Sequence, residues 1–203
     1  MTFGACWAET TLAGSPTRSA VAAPDAKRSG ILRYSLDANP EGVVLATASA
    51  PSYGLPVGTE WAVSLRIREA LTSVEWWSGF ASSASRVSTG TVNFVGLRFA
   101  ASVDATNVEA VCRSGTSETT ANLVAAATDA WLTYSLRRTA SGVEFYRLDL
   151  ADRAVVGRTL VATVTTNIPT GALLWVALGG YSTAAASRSC DIDWWVVGGR
   201  VAR

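Results

Sequence analysis

The clearest alternation of apolar and polar residues lies in the stretch WLTYSLRRTASGVEFYRLDL, residues 131–150. In its first half, Leu132, Tyr134 and Leu136 alternate with polar residues, and the second half repeats the pattern. Period-two alternation predicts strands with one face on a core and the other toward water. Between the halves, residues 139–142 (TASG) predict a tight turn whose glycine can take positive φ. The stretch is therefore predicted to be a β-hairpin.

Similar short runs follow one another along the chain, separated by loops with Gly, Pro, Asn and Asp. Together they predict about eleven to thirteen strands and no helix, which is typical of a two-sheet antiparallel sandwich or jelly roll. The nearly all-apolar run 173–179 is expected to lie centrally, buried on both faces. Outside the hairpin, the predicted strands are 31–36, 43–48, 61–67, 74–81, 92–103, 108–112, 119–125, 154–165, 173–179 and 189–197.

Residues 1–30 show no period and are rich in Ala, Ser, Thr, Pro and Gly. We expect an extended N-terminal arm here, followed by one β-sandwich domain over 31–203. Phe3 and Trp7 are large apolar groups that a solvated tail does not need. Either they tuck onto their own domain or they dock on a neighbouring subunit.

The composition narrows the classes of function. Of 203 residues, 49% are hydrophobic and 16% charged, and the net charge is +1. This lacks the basic footprint of a nucleic-acid-binding protein. The longest uncharged run, 159–187, contains a proline and several glycines, so no membrane helix is expected. The first residues do not resemble a secretory signal, and we expect synthesis in a cytoplasm.

Histidine is absent from the sequence. This excludes Ser-His-Asp and Cys-His nucleophilic sites, His-ligated zinc and the usual general base near neutral pH. The three cysteines, Cys6, Cys112 and Cys190, have no close pair, so buried free thiols are expected rather than a disulfide framework.

Eight tryptophans include two adjacent pairs, 76–77 and 194–195. Neighbours on a strand point to opposite faces, and the parity places Trp76 and Trp194 in the core and Trp77 and Trp195 on the outer face. Three interpretations of the outer indoles are open: contact with another protein, cover by a loop or the arm, and a platform for stacking sugars. The candidate contact residues are Phe3, Trp7, Trp77 and Trp195.

Several stretches resemble, in their order and spacing, the concanavalin A-like or laminin G-like jelly roll. They are EWAVSLRIR (60–68), EWWSGF (75–80), VGLRFAASV (95–103), DAWLTYSLRR (129–138), VEFYRLDL (143–150), TNIP (166–169) and DIDWWVV (191–197). The variant it most resembles occurs in structural proteins of tailed phages. The resemblance implies a non-enzymatic virion protein, such as a capsid decoration, head fibre or tail component. It also implies contacts with other virion proteins and with further copies of the chain as a homo-oligomer, and localisation in the virion.

The same family includes lectins, carbohydrate-binding modules and glycoside hydrolases, so binding of a host-surface glycan is the alternative. The resembling hydrolases carry a Glu-x-Asp-x-x-Glu strand motif. Here Asp191 and Asp193 share a parity but no glutamate completes the set. Asp104, Asp149 and Asp152 could serve as calcium ligands, although solvated turn acids explain them better. We therefore predict no catalytic, metal or cofactor site.

Overall fold

The computed structural model describes residues 7–21, 31–47, 54–88, 92–151, 154–171 and 174–199, with the backbone alone for 7, 47 and 194–199. These residues form fourteen β-strands and, within the described ranges, no helix. None of the described elements is a helix that could cross a membrane. The strands are β1 Trp7–Ala13, β2 Thr17–Val21, β3 Ile31–Leu36, β4 Glu41–Thr47, β5 Thr59–Ile67, β6 Val74–Ala81, β7 Phe94–Ala100, β8 Asp104–Ser114, β9 Ser117–Ala125, β10 Trp131–Arg138, β11 Val143–Ala151, β12 Ala154–Val164, β13 Trp175–Ser182 and β14 Arg188–Gly199.

The strands build two seven-stranded antiparallel sheets. Sheet A has the order β1-β4-β13-β6-β7-β8-β9, and sheet B has the order β12-β11-β10-β5-β14-β3-β2. Each sheet contains one uninterrupted meander, β6 to β9 in sheet A and β10 to β12 in sheet B. The predicted two-sheet sandwich of jelly-roll type is confirmed.

The inner core lies between the sheets, as the alternation predicts. Trp61, Val63 and Leu65 of β5 project into it from sheet B, while Trp76 and Phe80 of β6 project into it from sheet A. Because alternate residues of each strand enter this layer, their neighbours in sequence form the outer faces of the two sheets. Those outer faces carry the candidate sites described below.

The predicted hairpin is strands β10 and β11, paired from Tyr134 opposite Arg147 to Arg138 opposite Val143. The turn closes with a hydrogen bond of 2.8 Å from the Thr139 N–H to the Gly142 carbonyl. Gly142 does not take positive φ, so that expectation is wrong. Glycine is required there for close approach instead, because a Cβ would lie 2.6 Å from the Val164 carbonyl oxygen of the neighbouring strand.

The N-terminal residues are not all an arm. Within the predicted arm, β1 is the edge strand of sheet A beside β4, and β2 is the edge strand of sheet B beside β3. The buried Glu41 carboxylate fixes their connection, accepting the Ser15 N–H at 2.9 Å and the Ala38 N–H at 3.0 Å. The sandwich therefore begins near residue 7 rather than residue 31. The alternation of apolar and polar residues did not reveal these two strands, because an exposed edge strand buries few side chains and its sequence needs no apolar face. Residues 1–6 and 22–30 lie outside the described ranges.

Two of the three thiols are buried and free, as expected. Cys112 and Cys190 lie in the inner core without a disulfide. Burial raises the pKa of the Cys112 thiol to about 12 and also raises the pKa of Cys190, so both stay protonated at neutral pH. Cys6 is outside the described residues.

Candidate functional site

The outer face of sheet A carries a second apolar cluster built on Trp77. The Trp77 indole lies against β13, where a Cβ on Gly179 would come within 2.2 Å of the ring. A glycine at this position is what allows the ring to lie flat on the neighbouring strand. Trp77 is only 2% exposed.

The connection between β6 and β7 covers this cluster. Ala84, Val87 and Val92 pack onto it. The Glu75 carboxylate anchors the connection, accepting the Ser88 N–H at 2.7 Å and the Arg86 Nε–H at 3.2 Å. The Arg86 guanidinium also lies 3.9 Å above the centre of the Tyr181 ring. The protein's own chain therefore covers Trp77 on this face.

This burial corrects the expectation that Trp77 contributes to an exposed contact surface. As predicted, Trp77 and Trp76 point to opposite faces of the sheet. Of the three interpretations of the outer indoles, the burial of Trp77 fits cover by a loop. The backbone of Trp7 pairs with Thr47 in sheet A, and that of Trp195 lies opposite Val63 in sheet B. The side chains of Trp7 and Trp195 and the whole of Phe3 lie outside the described parts, so their contact role stays a prediction.

Beside Trp77, four charged residues form a buried network, here called the Arg98 network (Arg98, Glu109, Arg113 and Glu118). Arg98 Nη2 donates to Glu109 at 2.8 Å and to Glu118 at 2.9 Å, and Arg98 is 1% exposed. Burial pushes the pKa of Glu118 up, but the hydrogen bonds and charges of Arg98 and Arg113 outweigh it and hold that pKa below its usual range. Both carboxylates therefore face arginines, and that of Glu118 favours the ionised state.

The outer face of sheet B is built differently. Its centre is Asp191, 0% exposed, which accepts both hydrogen bonds of the Arg33 fork at 2.6 and 3.0 Å. From the other side, Arg66 donates to the same carboxylate at 2.6 and 3.2 Å. Burial raises the pKa of Asp191, but its bonds to Arg33 and Arg66 outweigh this and hold the pKa below its usual range.

An aromatic ring and an exposed acid stand at the edge of this cluster. The Trp131 ring is half-buried and lies 4.8 Å from the Arg66 guanidinium. Asp129 precedes it, pairs with Arg68, and is 58% exposed at its side chain. The six residues concerned, here called the Trp131 surface, are Arg33, Arg66, Arg68, Asp129, Trp131 and Asp191. This surface combines an aromatic ring with acidic and basic groups on the outer face of sheet B.

Sequence reasoning did not identify the Trp131 surface. The alternation of β10 places Trp131 outward with Thr133 and Ser135, a signal already present in the sequence. What the sequence could not supply is the register, which sets Trp131 opposite Arg66 and Arg66 opposite Asp191. A bulge between Ile192 and Trp194 also interrupts the uniform parity assumed for β14.

Neither of the described acids considered for calcium, Asp104 and Asp149, belongs to a group that could hold a metal ion. Asp104 caps its own turn, accepting the Thr106 hydroxyl at 2.6 Å and the Asn107 amide at 2.9 Å, and these bonds lower its pKa to about 2. Asp149 lies on β11, 3.8 Å from Arg147, and Asp152 is outside the described ranges. Within those ranges no three His, Cys, Asp or Glu residues are grouped so that they could hold a metal ion.

A small void in the described core lies between Trp76, Trp77 and Arg98. Its volume is about 10 Å³, the room that a single water molecule needs, so this void cannot hold a sugar.

Comparison with known proteins supports the fold alone. No protein-family model and no curated protein matches the chain. A solved protein of unknown function from Shewanella oneidensis has a TM-score of 0.67 at 12% identity, over 99% of this chain and 81% of the other. A β-1,3-glucanase from Mycobacterium marinum has 0.60 at 11%, over 97% and 92%. A protein described as an immunostimulatory antigen and pseudo β-1,3-glucanase of Mycobacterium tuberculosis has 0.60 at 13%, over 98% and 93%.

These similarities correct two expectations. The concanavalin-like jelly roll is right, but its assignment to a phage particle is not, because the similar structures include glycoside hydrolase family proteins. The same similarities contradict the expectation that the protein is not an enzyme. The strands that suggested a virion protein are framework strands of the sandwich, which carbohydrate-active proteins share, and a fold does not decide between such functions.

Proposed function

We propose that this protein is a carbohydrate-binding domain with a jelly-roll fold, and that it binds glycan at the Trp131 surface. The observation that carries the proposal is the half-buried Trp131 ring beside the exposed Asp129 carboxylate and the partly buried Arg66 on the outer face of sheet B. Sugar sites combine an apolar ring, on which a pyranose stacks, with a few fixed polar groups for its hydroxyls. The alternative face on sheet A is covered by the chain itself.

The polar groups of this surface are held before any ligand arrives. Arg33 and Arg66 are each fixed by two hydrogen bonds to the buried Asp191. A preorganised surface loses little side-chain freedom on binding, so weak sugar contacts yield more net affinity. Asp191 is on this account a positioning residue beneath the site.

The proposal is tested by titrating the full chain with laminarihexaose, a neutral β-1,3-linked glucose hexamer. Trp131→Ala should weaken binding at least about tenfold, or about 1.4 kcal/mol. The matched control is Trp175→Ala, since Trp175 is also half-buried but lies at the outer cluster of sheet A; it should leave affinity unchanged. Equal affinity of wild type and Trp131→Ala, or no binding by wild type to any neutral or acidic glycan, contradicts the proposal.

A second candidate function is glycan hydrolysis at Glu109 and Glu118. Both accept hydrogen bonds from one Arg98 nitrogen, which brings the two carboxylates close together, and retaining glycosidases use a pair of neighbouring carboxylates. One of the pair would have to be protonated, which requires Arg98 and Arg113 to move away. Release of reducing ends from laminarin, abolished by Glu118→Gln, would favour this function; no release by wild type would argue against it.

A further inference from the structure

We infer that the Trp131 surface recognises neutral glycans and discriminates against acidic ones. The inference rests on the proposed function and names the class of sugar. Recognition of a uronate or sulfate commonly uses an arginine or lysine whose donors are free to meet the anion. The three arginines of this surface face the protein's own acids instead.

Two of the three guanidinium forks are already engaged. Arg33 uses Nε and Nη2 on Asp191, and Arg66 uses the same pair of nitrogens on the same carboxylate. Because Asp191 is fully buried, releasing either arginine to an incoming carboxylate would leave an under-compensated charge in the sheet face. Binding of an acidic sugar to these donors would therefore carry a free-energy cost.

The third arginine is held less firmly than the other two. Arg68 Nη1 donates to Asp129, while its Nε lies 3.9 Å from Asp191 and makes no hydrogen bond. Glu69, next in the chain, binds Ser189 through both the N–H and the hydroxyl, and its charge acts on Arg33. Counting Glu69, which lies beside the Trp131 surface, three acids balance its three arginines.

The most exposed charged group of the surface is the Asp129 carboxylate. Asp129 has a φ of 60° and donates its N–H to the Ile67 carbonyl at 2.8 Å, which holds the carboxylate at the rim beside Trp131. A carboxylate accepts hydrogen bonds from sugar hydroxyls, and such charge-assisted bonds are stronger than neutral ones. The same charge repels the carboxylate of a uronate, and the repulsion is largest at low salt.

The experiment compares laminarihexaose with hexamannuronate, an acidic hexamer, by titration of the full chain at low and physiological salt. We expect hexamannuronate to bind at least tenfold more weakly, and laminarihexaose affinity to change less than twofold with salt. Asp129→Asn should reduce the ratio of the two affinities, because it weakens binding of the neutral hexamer and strengthens binding of the acidic one. Asp149→Asn, an exposed acid in a loose pair with Arg147, is the matched control and should leave the preference unchanged.

The outcomes separate this inference from the proposed function. If hexamannuronate binds as tightly as laminarihexaose, or more tightly, the protein still binds carbohydrate but the inference is overturned. An unchanged preference in Asp129→Asn also overturns it, because the exposed carboxylate then does not discriminate. If wild type binds neither hexamer nor any other glycan, the proposed function itself fails.

Discussion

The outer faces of the two sheets contain similar types of residue, but they differ in how far the rest of the chain covers those residues. On sheet A, tryptophan, arginine and glutamate are covered by a connection of the same chain, and every residue of β6 and β7 is buried. On sheet B, arginine and aspartate form a platform whose aromatic and acidic rim, Trp131 and Asp129, stays accessible. Charged and aromatic residues on a sheet face therefore do not by themselves mark a binding site. What distinguishes a binding site is whether another part of the chain covers these residues.

The largest difference between the faces should appear on removing one arginine from each. Arg98→Met leaves the buried Glu109 without Arg98 and the half-buried Glu118 with Arg113 alone, so we expect a loss of about 3–5 kcal/mol in the free energy of unfolding. Arg33→Met should cost less, about 1–3 kcal/mol, because Arg33 is partly exposed and the buried Asp191 keeps Arg66. Urea denaturation measures both. Equal losses would mean that sheet A is no more sealed than sheet B.

The tryptophans give the next test. Trp77→Ala removes a buried ring from the outer cluster and should destabilise the protein by about 3–5 kcal/mol. Trp131→Ala should cost at most about half as much, because its ring is only half-buried, while it abolishes most glycan affinity. Thermal or urea unfolding of the two variants distinguishes a packing residue from a binding residue. If Trp77→Ala lowered the free energy of unfolding no more than Trp131→Ala does, the contrast between the two faces would be contradicted.

A smaller effect is expected from acid. Since the pKa of folded Asp191 is depressed, its ion pairs contribute stability above the unfolded carboxyl value of about 3.9, and that contribution is lost as pH falls through and below it. Asp191→Asn should therefore lower stability at pH 7 but lose less between pH 5 and 2 than wild type. Unfolding midpoints across this range provide the measurement, with Asp149→Asn as control. Parallel curves for wild type and Asp191→Asn would contradict the assignment.

The smallest effect concerns the thiols beneath the two sheets. Cys112 lies under sheet A and Cys190 under sheet B, both in the inner core. In a Cys6→Ser variant, a thiol reagent followed by mass spectrometry should find both unlabelled in the native protein and both labelled in urea. Rapid native labelling of one thiol would show that its sheet opens more readily than the burial of both residues implies.

Much of the fold could be predicted from alternation, because residues such as Leu132, Tyr134 and Leu136 report directly which face is buried. Strands β1 and β2 could not, since exposed edge strands bury little. The cover of Trp77 could not either, because it depends on where the β6–β7 connection folds back. The Trp131 surface depends on register between β5, β10 and β14, which brings together residues more than sixty positions apart.

The most direct test of the contrast between the faces is hydroxyl-radical footprinting of the full chain, read at individual tryptophans by mass spectrometry, with and without laminarihexaose. We predict that Trp131 is oxidised in the free protein and protected by the glycan, whereas Trp77 is unmodified in both. Oxidation of Trp77 in the free protein, or glycan protection on sheet A with none at Trp131, would contradict the account and move the binding site to the opposite face.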